Sequence, residues 1–269
     1  MQRHTLEVVL RAGGATLAAG LAAHLIAPPL AAPIAIAAGA AVLAFELDRV
    51  RRTVLRRFDE LEADLAQTQP LLELGRILPT RRPLPPMTGF AIAPDFALLL
   101  AQLIAREEPR VVVETGSGVS TLVIGYALER LGRGKVVALE HDPAYAQATR
   151  ALIAEHGLEA FATVVDAPLS PVEIGGRPYR WYARDALAGL GEIDLVVDDG
   201  PPRHVGDMLR YASLPILAKQ LRRDGTFVLD VVGDEEKRVL ARWKTELPEL
   251  EQTHVPSKKG NVLIRYAAS

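Results

Sequence analysis

Five short runs of β-branched and apolar residues, each ending in an acid, leave this chain little choice of architecture. They are Arg110–Glu114, Lys135–Glu140, Ala162–Asp166, Ile193–Asp198 and Gly225–Asp230. Around them lie helix-forming stretches at Ala97–Arg106, Thr121–Leu131, Pro143–His156, Val205–Leu221 and Glu235–Thr245. Strands that are apolar on both faces and separated by helices predict a parallel sheet covered on both sides, an α/β fold. The C-terminus differs. Glu251–Val255 and Asn261–Tyr266 flank Ser257-Lys-Lys-Gly260, which predicts a hairpin adding an antiparallel pair at the sheet edge. Gly175-Gly176 predicts a second hairpin within Val172–Tyr182. Its Tyr179, Trp181 and Tyr182 either wall an acceptor pocket or pack the hairpin onto the sheet.

The 269 residues suffice for one large core or two modest ones. With 31 basic and 33 acidic residues the net charge is −2, which argues against a general nucleic-acid binder and against an acidic disordered chain. The absence of cysteine removes disulfides, thiolate metal sites and cysteine nucleophiles.

Ala12–Phe45 contains no Asp, Glu, Lys or Arg. Proline removes a helix donor and clashes with the preceding turn, so Pro28-Pro29 and Pro33 should divide the stretch. Two helices are expected, Ala12–Ala27 and Leu30–Phe45, each about 24 Å long and short of the ~30 Å hydrocarbon core. Arg3 and Arg11 precede them; Arg49, Arg51, Arg52, Arg56 and Arg57 follow. Basic flanks stay cytoplasmic. Residues 1–46 are therefore expected to form an apolar helical hairpin, a membrane anchor through residues 12–45 that either crosses twice or re-enters, with the catalytic domain cytoplasmic. A buried soluble hairpin and a targeting segment are the alternatives. Gly13, Gly14, Gly20 and Gly39 would let the helices approach closely, with His24 as a packing residue.

Residues 47–86 follow as a charged linker helix and a Pro/Arg-rich extended linker, Arg76–Pro86. Val54, Phe58, Leu61, Leu65, Thr68 and Leu72 form a short heptad seam. Residues 47–72 are expected either to dimerise as a coiled coil, giving a homo-oligomer, or to lie on the following domain. Residues 87–269 are the third part.

Ligands of open α/β sheets bind at the carboxyl ends of the strands, where the five acids gather. The first strand runs into Glu114-Thr-Gly116-Ser-Gly118-Val-Ser120-Thr121. Gly116 and Gly118 permit a tight turn and a close ligand approach, and Ser120 or Thr121 can cap the next helix. A dinucleotide fingerprint would carry a third glycine where Thr121 stands. Glu114 would also repel a pyrophosphate while attracting an ammonium group. Glu140 closes the second strand at the distance of a carboxylate that binds ribose hydroxyls. Asp166-Ala167 can accept from an adenine amino group. Ribose, adenine and an α-amino acid together make S-adenosylmethionine.

Residues 87–269 resemble class I S-adenosylmethionine-dependent methyltransferases, in a bacterial small-molecule branch. The matching motifs are E-T-G-S-G-V-S-T (114–121), V-V-A-L-E-H-D (136–142), V-D-A (165–167) and D-L-V-V-D-D-G-P-P (194–202). The resemblance implies a Rossmann-like, seven-stranded, mostly parallel sheet. It implies a cofactor site of Glu114, Thr115, Gly116, Ser117, Gly118, Ser120, Glu140, His141, Asp166, Ala167 and Asp198. Asp199 falls where the family carries its fourth-strand motif beside the methyl group, and His204 follows as a further candidate base. Asp198 and Asp199 are adjacent on a strand and face opposite sides, Asp199 being the one expected to face the site. In metal-assisted relatives such as catechol O-methyltransferase, Asp199 and Asp230 would match two ligand positions; the third is Val231, which cannot ligate, so no resident metal is expected. The sequence thus predicts a membrane-associated methyltransferase acting on an oxygen, less readily a nitrogen, of a small or lipid-linked acceptor. A nicotinamide-dependent oxidoreductase and a non-catalytic, oligomerising scaffold with a degenerate domain are its rivals.

Overall fold

The computed structural model describes residues 2–26, 28–89, 91–202, 206, 208–231 and 233–267. The chain divides into two compact units, Met1–Leu65 and Ala66–Ser269.

The first unit is a helical hairpin. Helix α1 spans Gln2–Ile26, a 3-10 turn covers Pro28–Leu30, and α2 spans Ala31–Leu65. The division expected at the prolines falls at Pro28-Pro29, and α2 runs through Pro33. Pro33 is the third residue of α2, inside the first turn, where no N–H has an intrahelical partner to lose. Nor is there a separate linker helix, because α2 runs unbroken from the apolar segment through the arginine-rich stretch. Among the described residues, no helix is long and apolar enough to cross a membrane, which corrects the expectation of a transmembrane helix. The heptad seam is cut as well. α2 ends at Leu65 and α3 begins at Thr68, running to Ile77, so the seam continues on no single helix.

The second unit holds the core. Helix α4 (Pro94–Glu107) leads into β1 (Val111–Thr115), α5 (Val119–Leu131), β2 (Lys135–Glu140), α6 (Pro143–Glu155) and β3 (Ala162–Asp166). A two-stranded hairpin of β4 (Leu169–Ile174) and β5 (Arg177–Tyr182) turns at Gly175-Gly176. Then come β6 (Ile193–Asp198), α7 (Ser213–Leu217), β7 (Leu221–Asp230), α8 (Asp234–Glu246), β8 (Leu250–Val255) and β9 (Asn261–Tyr266). The main sheet has seven strands in the order β3-β2-β1-β6-β7-β9-β8. The first five are parallel, and β9 pairs antiparallel with both β7 and β8.

Strand pleating sends alternate side chains to opposite faces. Val112, Val136, Leu195 and Val228 pack with Leu74 of α3 and the apolar sides of α4, α5 and α6. Val113, Val137, Val196 and Phe227 pack with Trp181, Tyr182, α7 and α8. Both faces are therefore covered, as a parallel sheet requires. The segment expected to be a free linker is strapped down: the Arg81 guanidinium donates to the His156 carbonyl (2.6 and 3.0 Å) and pairs with Glu129 (2.6 Å).

Candidate functional site

The strand order reverses between β1 and β6, which opens a crevice at their carboxyl ends. Glu114, Thr115, Asp198 and Asp199 come together there. In register, Thr115 lies beside Asp198 and Leu139, and Glu140 lies beside Asp166.

The glycine loop is tied to its acid. The Gly118 N–H donates to the Thr121 hydroxyl (3.0 Å), which donates to Glu114 Oε2 (2.6 Å). Thr121, one of the two residues expected to cap the next helix, thus holds the loop closed over Glu114. Gly116 sits at φ +89°, a conformation that favours glycine, and a Cβ on Gly118 would point into open space. Glu114 is fully buried, and its Oε1 has no partner. Burial pushes its carboxyl up to about 8, although Ser120 and Thr121 pull the other way.

Glu140 is almost fully enclosed. Oε1 accepts from the backbone N–H groups of His141 (2.8 Å) and Asp142 (3.1 Å), and Oε2 accepts from Ser117 Oγ (3.0 Å). The His141 ring stands edge-on to Tyr182, 6.2 Å between centroids. Asp166 occupies the expected strand end, but its side chain is exposed and paired with Arg150 at 2.8 Å. Its neighbour Ala167 is buried and donates from its N–H to the Glu140 carbonyl (2.7 Å).

On the other side of the crevice, the Thr115 hydroxyl donates to Asp198 Oδ1 (2.6 Å). Burial raises the Asp198 carboxyl to about 6, with Arg210 and Thr115 opposing. Arg210 carries no motif and is not among the expected site residues. It is buried, and its Nη1 donates to the Asp230 carbonyl (2.8 Å) while Nη2 donates to the Asp199 carbonyl (2.9 Å) and lies 3.4 Å from Asp199 Oδ1. It therefore bridges the tips of β6 and β7. Burial works against its charge, and the surrounding Asp199, Asp198, Glu236 and Asp230 outweigh that penalty. Asp199 is raised well above the usual carboxylate range by burial, with Arg210 holding it down and Asp230 pushing it up.

Tyr182 is one of the three aromatics expected either to wall a pocket or to pack the hairpin onto the sheet. It closes β5, is buried, and its hydroxyl has no partner. A Cβ on Gly200 would strike this hydroxyl and would stand 3.1 Å from both the Gly116 nitrogen and the Thr115 carbonyl oxygen. Trp181 behind it donates from Nε1 to Ser213 Oγ (3.0 Å). The aromatic cluster is thus part core and part crevice wall. His204 lies outside the described residues.

The carboxylates proposed as metal ligands already face cations. Asp230 accepts from Asn261 Nδ2 (3.1 Å) and lies 3.5 Å from the Lys259 ammonium; Asp199 faces Arg210. No group of three His, Asp or Glu side chains among the described residues gathers into a ligand set. This donor set does not fit a divalent cation. It does fit an ammonium-bearing nucleoside, because Glu114 offers an unpaired buried oxygen beside the open space over Gly118.

Residues 113–231 match a sequence family described as a methyltransferase domain. Among curated proteins, none matches the sequence. In solved structures, the chain resembles the methyltransferase PaMTH1 of Podospora anserina bound to S-adenosylhomocysteine. The two are 17% identical over 79% of this chain and 96% of that one, with a TM-score of 0.54. It also resembles an O-methyltransferase from Bacillus cereus in complex with S-adenosylhomocysteine (18% identical, 74% and 91% covered, TM-score 0.51). A third is the O-methyltransferase TomG of Streptomyces achromogenes in complex with S-adenosylmethionine (18%, 77% and 90%, 0.51). At these identities the resemblance is one of fold. The nicotinamide alternative gives way, since a pyrophosphate has no place beside Glu114 and Thr121 fills the third glycine position. The second unit of this chain has the fold of these S-adenosylmethionine-dependent methyltransferases, and residues 113–231 within it match the methyltransferase-domain family.

Proposed function

We propose that this protein transfers the methyl group of S-adenosylmethionine to a hydroxyl oxygen of a small or lipid-linked acceptor, with Asp199 as the base. The observation that carries the reading is the buried Glu114 carboxylate at the glycine loop, whose Oε2 is held by Thr121 and whose Oε1 has no hydrogen-bond partner, which suits a cationic amino group. Glu140 supports it. A carboxylate has about four acceptor positions; three are taken by groups that fix its orientation, which leaves it aimed for ribose hydroxyls. When bound, the cofactor supplies a methyl carbon made electrophilic by its sulfonium. Asp199 takes the acceptor's O–H proton as the oxygen lone pair forms the new bond and the carbon–sulfur pair returns to sulfur. Arg210 holds Asp199 in place and keeps its proton affinity from climbing further.

The hairpin supports a membrane-associated setting, because its charge-free segment is exposed and would bring the domain close to lipid-linked acceptors. Titration calorimetry with S-adenosylhomocysteine tests the catalytic reading. Binding by the native protein and its severe loss in Glu140→Ala are expected. A native protein that does not bind the ligand would overturn the assignment.

A further inference from the structure

In α1 and α2 the usual placement of side chains is inverted. Small residues make the contact between the helices: a Cβ on Gly20 would stand 3.1 Å from that of Ala35, and one on Gly39 would meet the Thr16 hydroxyl. That hydroxyl is satisfied within α1, donating to the Ala12 carbonyl (2.8 Å). The large side chains point outward. Leu17, Leu21 and Leu25 are 76%, 68% and 79% exposed on α1, and Ile36 and Phe45 are 69% and 62% exposed on α2. A hairpin surrounded by water buries its leucines; one surrounded by lipid packs on its small residues.

A second copy would cover one side only. Ile34 and Ile36 are two residues apart, roughly 200° around the helix at 3.6 residues per turn. Both are exposed, and Leu43 and Phe45 repeat the arrangement two turns on. The apolar surface therefore lies on opposite sides of α2.

The charge-free end stops at a defined level. Arg11 on α1 and Glu46 on α2 are ion-paired at 3.2 Å, so residues 12–26 and 31–45 form the same end of the hairpin. At ~1.5 Å per residue that end is about 22 Å tall, more than the ~15 Å of hydrocarbon in one leaflet and less than the ~30 Å of both. Below it, residues 46–57 carry five arginines against two acids, a net positive collar. The tip is also poor in donors. Pro28 and Pro29 lie in the connecting turn and Pro33 in the first turn of α2, so three backbone N–H groups are missing where hydrocarbon would leave them unpaired.

We propose that the hairpin is a monotopic wedge: it enters an anionic bilayer from one side, its tip passing the midplane without reaching the far surface, and the collar from Arg49 to Arg57 meets the phosphate headgroups. This rests on the membrane-associated setting given above and adds depth, sidedness and lipid charge. Because the protein has no cysteine, Leu21→Cys, Leu30→Cys and Arg57→Cys in the full-length chain each accept a single fluorophore. Co-flotation is expected with phosphatidylcholine vesicles containing phosphatidylserine, and salt should weaken it. The label at position 21 should be quenched by a lipid-borne quencher, the label at 57 by aqueous iodide, and the label at 30 by no quencher trapped inside the vesicle. The double variant Leu21→Glu/Ile36→Glu should lose flotation while keeping S-adenosylhomocysteine affinity. A label at 30 that is reached from the lumen would overturn the wedge but leave membrane association standing. So would equal flotation on purely neutral vesicles, which removes the collar's role. Failure to float on any vesicle, with a discrete dimer in sedimentation, would remove both readings and give the surface to a second copy.

Discussion

At Glu114 a single unpaired oxygen links structure to measurement. With its carboxyl raised to about 8 by burial, the free protein holds a proton there at pH 7. An incoming ammonium favours the charged form and drives that proton off. Binding of S-adenosylhomocysteine at pH 7 should therefore release a proton, and the release should fade as pH rises through 8. The sign for stability is the same. A raised folded-state value favours the free fold at low pH, and that contribution is lost as pH climbs from the ordinary carboxylate range to 8. Calorimetry in buffers of different ionisation enthalpy reads the proton. Glu114→Gln should abolish it and weaken affinity roughly 10–100-fold, since a charge-assisted bond is worth about 1.5–3 kcal/mol; undiminished release in that variant would assign the proton elsewhere. A second test lies at Gly200, where an added Cβ would strike the Tyr182 hydroxyl and approach the Gly116 N–H and Thr115 carbonyl, both at 3.1 Å. Gly200→Ala should lose cofactor affinity, and adding Tyr182→Phe should recover part of it. If the single variant binds normally, the crevice wall is not where this contact puts it. The glycines and strand-end acids could be read from the sequence because their roles follow from local backbone geometry. For Tyr182 the sequence left two roles open, and Arg210 could not be found at all, because each acts through groups distant in sequence that only the folded sheet brings near.

Among the elements, those with one dominant signal were legible. The valine-rich runs became β1, β2, β3 and β6, and the two glycine-marked hairpins formed where expected. The stretch from Val205 to Leu221 did not become one helix. Within its described residues it holds a 3-10 turn at Leu209–Ala212 and the five-residue α7, and β7 begins at Leu221. Arg210 explains part of this. A side chain committed to the carbonyls of Asp199 and Asp230 fixes that turn against the sheet edge, where a regular helix would follow its own periodicity. The Arg210 bridge predicts two separable effects. Arg210→Met leaves buried carboxylates without their cation and should cost about 3–5 kcal/mol in urea unfolding. It should also move the rising limb of the activity–pH profile to higher pH, because the guanidinium lowers the proton affinity of Asp199. A stability loss with an unmoved limb would make Arg210 purely structural and remove Asp199 as the titrating base.

Across the whole molecule, the two units obey opposite solvent rules. Among the described residues, no hydrophobic side chain before Leu74 is buried, while both faces of the sheet in the second unit enclose continuous apolar clusters. The hydrophobic effect therefore folds the second unit in water, whereas the first has no dry core among its described residues, as the proposed lipid-facing hairpin requires. Every residue assigned to the cofactor lies between Glu114 and Asp198, inside the unit with the core. A chain lacking residues 1–65 should accordingly unfold cooperatively, bind S-adenosylhomocysteine with unchanged affinity, and no longer float with phosphatidylserine-containing vesicles. Its turnover should fall only for an acceptor presented in a bilayer, because truncation removes the means of concentrating enzyme at that surface and leaves Asp199 and Arg210 untouched. An equal fall with a freely soluble acceptor would mean that the hairpin shapes the active site itself, and the division of labour between lipid-facing hairpin and water-folded sheet would fail.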